Sequence, residues 1–403
     1  MLKYKEAVNK ILENISLIPK VKEQIKLADS LGRILAEDII SDINLPPFTN
    51  SAMDGYAIKY HPEIRKWKNI AEISAGNYRS IETDFNSAVR IMTGAKLPEE
   101  ADTVIPVEDC IQSDNSITVP DDFKLKKFNN TRIMGEDLKI NSVAISSGTI
   151  IEKNNINLAA ACGKSEISVY GKLTIGVIAS GDELIPIEQL PVNDQIRSSN
   201  AASIIASIKD MQMKPVDFGI VADKPELMSK KIKDALNSGI DILITTGGVS
   251  VGKYDFMQDA IKSAGAEIQF WKVNIKPGKP LLFSTYNNGK KVIPIFGLPG
   301  NPVSCFVNFK LFVKNILLMH YGVKSSPGFQ AKLKSPIKKH DNRLHFVMAK
   351  MNFNGEDRCF EIESAGSQSS GTMSTMSNSD CMFLFPEELT LLNKGEWVEC
   401  IRI

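Results

Sequence analysis

Carboxylates and glycines recur in this chain where apolar runs end, a combination suited to chemistry on a phosphate. GVIAS leads into Gly181, Asp182 and Glu183, FGIV into Ala222 and Asp223, and ILITT into Gly247 and Gly248. Glycine lets backbone N–H groups come close to a phosphate or oxyanion, while carboxylates suit Mg²⁺, a hard cation that keeps several waters. Together they suggest a metal-assisted anhydride site. Downstream, KVNIKPGKP sets Lys272, Lys276 and Lys279 around a Pro-Gly turn, and FGLPGNPVS presents Gly300 and Asn301 before a long helix. These add positive charge and N–H groups for anions. Taken singly, such residues are ordinary turn formers or caps. Their convergence on one sheet edge sets them apart, because ligands of open parallel sheets sit beyond the carboxyl ends of the strands.

The stretch DILITTGGVSVGKYDF contains G-x-x-x-x-G-K from Gly247 to Lys253, the spacing of a P-loop. A P-loop needs Ser or Thr after the lysine to ligate Mg²⁺, and here Tyr254 follows. What remains is a glycine turn followed by an acid, Asp255, at the start of a helix. A second set of candidates lies nearer the N-terminus. SAMDGYAI places Asp54 in a turn, IMTGAKLP places Thr93 beside Gly94, and IMGEDLK places Glu136 and Asp137 after Gly135. Met53 and Tyr56 read as packing residues.

Several elements must position these groups. The 403 residues suffice for two to four domains, and 43% hydrophobic residues is an ordinary globular composition. MLKYKEAVNKILENISL spaces Tyr4, Val8, Ile11 and Ile15 on one helix face, and a second short helical pattern surrounds DSLGRILAEDI. Pro46 and Pro47 mark a junction. Short β-like runs (YAIKY, NSAVRIMTG, TVIPVED, NSITVP) then give a β-rich domain over 45–138. Residues 139–172 hold a strand, a helix and a strand that can rejoin 1–44 as a discontinuous domain. From Leu173, strands alternate with helices over Asn200–Lys209 and Lys224–Leu236, giving a mixed α/β domain over 173–325. Residues 326–403 return to β-like runs.

Composition narrows the function classes. Lys plus Arg number 48 against 47 for Asp plus Glu, so no global field draws the chain to nucleic acid or an acidic membrane. Six scattered cysteines and four histidines show no zinc-site or disulfide spacing. SCFVNFKLFVKNILLMHYG, interrupted by Lys310 and Lys314, reads as short of a membrane span, so a cytoplasmic protein is expected.

Seven stretches in order, LPPFTNSAMDGYAI, IMTGAKLPEEADTVIPVED, GEDLK, IASGDEL, ITTGGVSVGKYDF, IKPGKP and FGLPGNPVS, make the chain resemble the molybdopterin molybdenumtransferases, the family of bacterial MoeA and the gephyrin E domain. The resemblance implies an α/β multidomain fold. A central three-layer molybdopterin-binding domain is joined by a β-rich domain, a discontinuous helical and strand domain and a C-terminal β barrel. It implies insertion of molybdenum from molybdate into adenylylated molybdopterin, with Mg²⁺-dependent anhydride cleavage and release of AMP. Glu183, Asp223 and Asp255 are assigned by resemblance to the catalytic region, with Glu183 and Asp223 on the metal. Gly181, Gly247, Gly248 and Ser250 fall on the phosphate path, and Lys272, Lys276, Lys279, Gly300 and Asn301 on anions. Asp54, Thr93 and Asp137 match functional positions of the second domain, which in the family faces the partner subunit, so a homodimer with a composite active site is implied.

The chain departs from the family pattern mainly near its end. RLHFVMA keeps Arg343 but has Met348 in place of an arginine, and Gln368-Ser369-Ser370-Gly371 replaces Q-G-S-G. Arg343 and Ser370 are therefore the weaker anion-binding candidates. The resemblance also implies a separate molybdopterin adenylyltransferase as substrate supplier, and molybdoenzymes or their chaperones as acceptors. Two rivals are an adenylyltransferase, which needs only the α/β domain, and a gephyrin-type scaffold, which has no need of the acids.

Overall fold

A computed structural model describes residues 1–248, 256–324 and 328–403. Its central sheet has six strands. Lys214–Val221, Thr174–Ser180, Ile242–Thr246 and Val292–Leu298 pair parallel in that order; Leu282–Asn287 follows antiparallel, and Glu267–Trp271 pairs antiparallel to it and so runs with the first four. The central strands read as unbroken apolar runs because both faces are covered. Side chains alternate between the faces. Ile175, Val177, Ile242 and Ile244 pack with helices Ser199–Asp210 and Pro302–Asn308, whereas Ile178 and Leu243 pack with helices Pro225–Asn237 and Met257–Ser263. This is the expected three-layer arrangement.

The long helix after Asn301 is present, with a π-helical stretch Phe309–Lys314 between Pro302–Asn308 and Asn315–His320. Despite Lys310 and Lys314, it is long and apolar enough to cross a membrane by length and composition, a test that a buried core helix also passes. Its 61% burial within the fold is that of a core helix, with Lys314 reaching out to Asp210 at 2.8 Å.

Helix Tyr4–Ile15 buries Ala7, Ile11 and Ile15, at helical spacing, against the central domain. The second helix expected around DSLGRILAEDI does not form. A single 3₁₀ turn, Leu27–Asp29, gives way at Gly32, whose φ of +77° is left-handed, and Ile34 and Leu35 then bridge to Ile150 and Val169. Strand pairing thus satisfies the backbone in place of helix. Residues 139–172 do return to the N-terminal segment: Glu166–Tyr170 pairs with Lys22–Lys26 and Val143–Ile145 with Ile39–Ile40.

The β-rich region forms another six-stranded sheet. The four expected runs appear as Gly55–Ile58, Ser87–Ile91, Thr103–Pro106 and Ser116–Thr118. Its longest strand, Lys66–Ile73, was missed, although Trp67 and Ile73 both bury, in separate cores on either side of a register shift at Asn69 and Ala71. Tyr56 packs as expected; Met53 is exposed at 36%, because it precedes the strand in the Asp54 turn.

At the C-terminus, Leu344–Asn354, Cys359–Ser364, Phe329–Leu333, Trp397–Arg402 and Cys381–Phe385 pair in turn, and the last closes on the first to make a barrel. Ile275–Lys276 adds to its edge beside Leu344 and His345. Tyr4 meets Phe312 of the core helix and Phe346 of the barrel edge-on, at centroid distances of 5.5 and 5.6 Å. Phe346→Ala, which empties this joint, is expected to lower stability by about 3–5 kcal/mol in denaturant unfolding.

Candidate active site

The carboxyl ends of the parallel strands open into a cavity of about 710 Å³. Ser180, Glu183, Asp223, Gly247, Gly248, Gly300 and Asn301 line it. The strand ends are tied together by Gly181 N–H donating to the Val221 carbonyl (3.2 Å) and Gly247 N–H to the Leu298 carbonyl (3.0 Å). Gly247 has a φ of +92°, and a Cβ there would lie 2.2 Å from the Ser180 carbonyl oxygen, so glycine is required. A Cβ on Gly181 would meet the Glu183 carboxylate at 2.7 Å: the acid folds back over its own glycine.

The charge on this floor is unbalanced. Burial first, then the nearby Asp182 and Glu183 charges, raise the Asp223 carboxyl above its ordinary range, a rise opposed by the Ser180 hydroxyl and the Asp182 backbone N–H. Asp223 N–H donates to Asp182 Oδ1 at 3.0 Å. By strict geometry, Asp223 Oδ1 and Ser180 Oγ have no hydrogen-bond partner among the described residues. An all-oxygen, electron-rich donor set with an orphaned buried oxygen fits Mg²⁺, which needs only one or two carboxylates alongside water and substrate phosphate. No cluster of three or more metal-ligating side chains exists among the described residues, so any such ion would rely on that shared coordination.

The anion side is built by the helix beginning at Pro302. Asn301 caps its start by position and donates from Nδ2 to Ser370 Oγ at 3.0 Å, while Asn200 Nδ2 holds the Gly300 carbonyl at 2.7 Å. Ser370 thus meets the site through Asn301. Asn308 of the same helix donates to the carbonyls of Gly278 (3.1 Å) and Pro280 (3.0 Å), fixing the lysine turn. Lys279 makes no ion pair among the described residues. Lys276 lies 3.9 Å from Asp341. Lys272, at a left-handed φ of +76°, lays its ammonium 3.3 Å over the Trp271 ring; none of the three lysines lines the cavity, which the turn reaches at Pro280. Arg343 is paired with Asp341 at 2.7 Å, beside a separate hollow lined by Lys276 and His345.

Asp54, Thr93 and Asp137 stand apart from this cavity. Asp54 Oδ1 accepts from the Thr93 amide (2.8 Å) and hydroxyl (2.7 Å) between two exposed turns at the end of the β-rich sheet. The amide first, then the hydroxyl, lowers the Asp54 carboxyl below its usual range, helped by Arg90. Asp137 lines a second opening of about 710 Å³ with Arg132 and Asn157. Ser250 and Asp255 lie outside the described residues. Sequence reasoning missed Ser180, Asn200 and Asn308. Asn200 had a legible signal, Ser-Ser-Asn at a helix start, while Asn308 looks like one polar residue in an apolar helix.

Comparison with known proteins covers nearly the whole chain. Residues 2–163 match the MoeA N-terminal region (domain I and II), 176–319 a probable molybdopterin binding domain, and 330–403 the MoeA C-terminal region (domain IV). A molybdopterin molybdenumtransferase of Haemophilus influenzae is 35% identical, over 99% of this chain and 98% of its own. One from Staphylococcus epidermidis is 31% identical, over 98% and 94%. Among solved structures, the molybdopterin biosynthesis MoeA protein of Pyrococcus horikoshii OT3 aligns over 100% of both chains with a TM-score of 0.82 and 26% identity.

Two titrations probe the acids. Because folding raises the Asp223 carboxyl, its ionised form opposes the fold: its contribution is favourable at low pH and is lost as pH rises through the raised value. Asp223→Asn should therefore raise the melting temperature at pH 7, by an amount that shrinks as pH falls through that value. Thr93→Val removes one of two donors, so the Asp54 carboxyl, followed by NMR, should move only part of the way up to its ordinary value.

Proposed function

The chain belongs to the molybdopterin molybdenumtransferase family, and from that membership we propose that it acts in molybdenum cofactor biosynthesis, taking adenylylated molybdopterin and molybdate and releasing AMP. The observation that carries this reading is the meeting of Glu183, Asp223, Gly247, Gly248 and Gly300 around one cavity at the ends of parallel strands. Gly247, Gly248 and the helix start at Asn301 would cradle the pyrophosphate with backbone N–H groups. Lys276 and Lys279, on the turn fixed by Asn308, would hold the tetrahedral molybdate dianion. Glu183 and Asp223 would hold Mg²⁺, with Asp223 giving up any proton it retains on binding. When bound, Mg²⁺ would supply charge neutralisation at the anhydride. Glycines and acids thus orient the anhydride against the oxyanion.

We further propose a homodimer whose composite site joins this cavity to Asp54, Thr93 and Asp137 of the partner's β-rich region. Those residues lie outside the cavity of their own chain. Apolar side chains stand in water near both halves: Leu190, 80% exposed, beside the cavity, and Met53 and Met134 beside Asp54 and the Asp137 loop. A separate adenylyltransferase would supply the substrate, and molybdoenzymes or their chaperones would accept the product. Six cysteines without a disulfide suit the reducing cytoplasm.

Purified protein with Mg²⁺ should release AMP from adenylylated molybdopterin faster with molybdate, and yield cofactor that reconstitutes a molybdoenzyme. Glu183→Gln should slow release at least about tenfold, the lower range for perturbing a metal's surroundings. Mixing Asp54→Asn with Glu183→Gln leaves one wild-type composite site per heterodimer, so activity should return. Isolated heterodimers with no recovered activity would rule out the composite site.

A further inference from the structure

A side groove of about 130 Å³ continues from the main cavity between helices Ser199–Asp210 and Pro302–Asn308 and the short helix Met373–Ser377. Cavity and groove share Ser199, Asn200, Pro302 and Met373, so the groove adjoins the space in which the glycines stand. Its walls are apolar and polarizable: Phe306, Phe309 and Met376 line it. Ser203 is its exposed polar rim. Thioether and phenyl groups favour the face of a flat ring, and a hydroxyl at the edge can pair with a ring nitrogen or amine.

The proposed substrate carries two heterocycles, one on each side of its pyrophosphate. The pterin presents oxo, amine and amide groups around most of its perimeter, and many of these would be left unpaired against phenyl and thioether surface. Adenine is planar, and its polar groups leave two broad apolar faces. Resting on the function proposed above, we propose that this groove binds the adenine of the substrate, and hence of AMP, with the ring against Phe306 and Met376 and its polar edge toward Ser203. The groove then fixes which way round the anhydride lies over Glu183 and Asp223: the nucleotide phosphate is on the helix side.

The test fills the groove. Ser203→Trp places an indole in it from an exposed helix position, and Ala202→Trp puts the same ring on an exposed neighbouring position that does not line it. Calorimetric titrations use AMP and ribose 5-phosphate, which lacks the base, with Mg²⁺ present. Wild type should bind AMP at least about tenfold more tightly than ribose 5-phosphate, the scale of one base stacked on aromatic surface. Ser203→Trp should bring AMP down to the ribose 5-phosphate level and leave ribose 5-phosphate unchanged; Ala202→Trp should alter neither. A Ser203→Trp protein with wild-type melting temperature and wild-type AMP affinity overturns the assignment, as does a wild type with no preference for AMP. If Ser203→Trp loses molybdopterin and keeps AMP, the groove belongs to the pterin and the proposal falls. Turnover of adenylylated molybdopterin by wild type, measured alongside, separates the two readings. Turnover with an AMP affinity insensitive to Ser203→Trp removes the groove alone, whereas neither turnover nor AMP binding removes both.

Discussion

No side chain fits where Gly247 passes Ser180. A Cβ there would sit 2.2 Å from the Ser180 carbonyl oxygen, and this close approach is what lets the ends of neighbouring strands share one cavity. The amide of the same glycine is spent on Leu298, one strand further along. Three strand ends are thereby held in register by one residue without a side chain. The carboxylate of Glu183, folded over Gly181, depends on the same economy of space. Had either position carried a Cβ, the strand ends would have to separate, and the acids with them.

The anion side depends on a different constraint, a joint between regions distant in sequence. The turn carrying Lys276 and Lys279 leaves the central domain at Trp271, adds Ile275–Lys276 to the barrel edge, and returns to the sheet at Leu282. Asn308 holds its carbonyls from the core helix, and Leu2 exchanges backbone hydrogen bonds with Lys272 and Asn274. Tyr4, on the same N-terminal segment, wedges between Phe312 and Phe346. Lysine placement is therefore a property of the packed joint, which explains why so much of it was invisible along the chain.

Local pattern made the central domain legible, because strands buried on both faces and amphipathic helices each leave a periodic trace. The strand ends were legible for the same reason: once ILITT is a strand, Gly247 and Gly248 must lie beyond it. DSLGRILAEDI misled because its apolar spacing fits a helix, while pairing of Ile34 and Leu35 with Ile150 and Val169 more than 100 residues away decides the backbone. Lys66–Ile73 escaped because alternating charged residues mask a half-buried strand. Lys272 reads as positive charge for anions from its place near a Pro-Gly turn, and Arg343 only from the family resemblance. Sequence cannot reveal that the Lys272 ammonium lies over Trp271 or that Arg343 pairs with Asp341.

Asp341 and Asp223, both half-buried, show how the surroundings of an acid are turned to opposite ends. Hydrogen bonds from Arg343 and His345 hold the Asp341 carboxyl far below its ordinary range, and each of its oxygens has a donor. Burial lowers His345 in turn, despite the neighbouring carboxylate, so at neutral pH the 2.8 Å contact is a neutral imidazole N–H donating to Asp341. Every group there is satisfied, and the cluster pins the barrel edge where Lys276 enters. Asp223 is only partly compensated: Ser180 and the Asp182 backbone oppose the rise, but burial and the like charges of Asp182 and Glu183 outweigh them and push its carboxyl up. A folded chain gains nothing from such an arrangement by itself. A cation bound beside the acid would relieve it, so the excess negative charge held in advance by the fold is consistent with the proposed divalent-ion site.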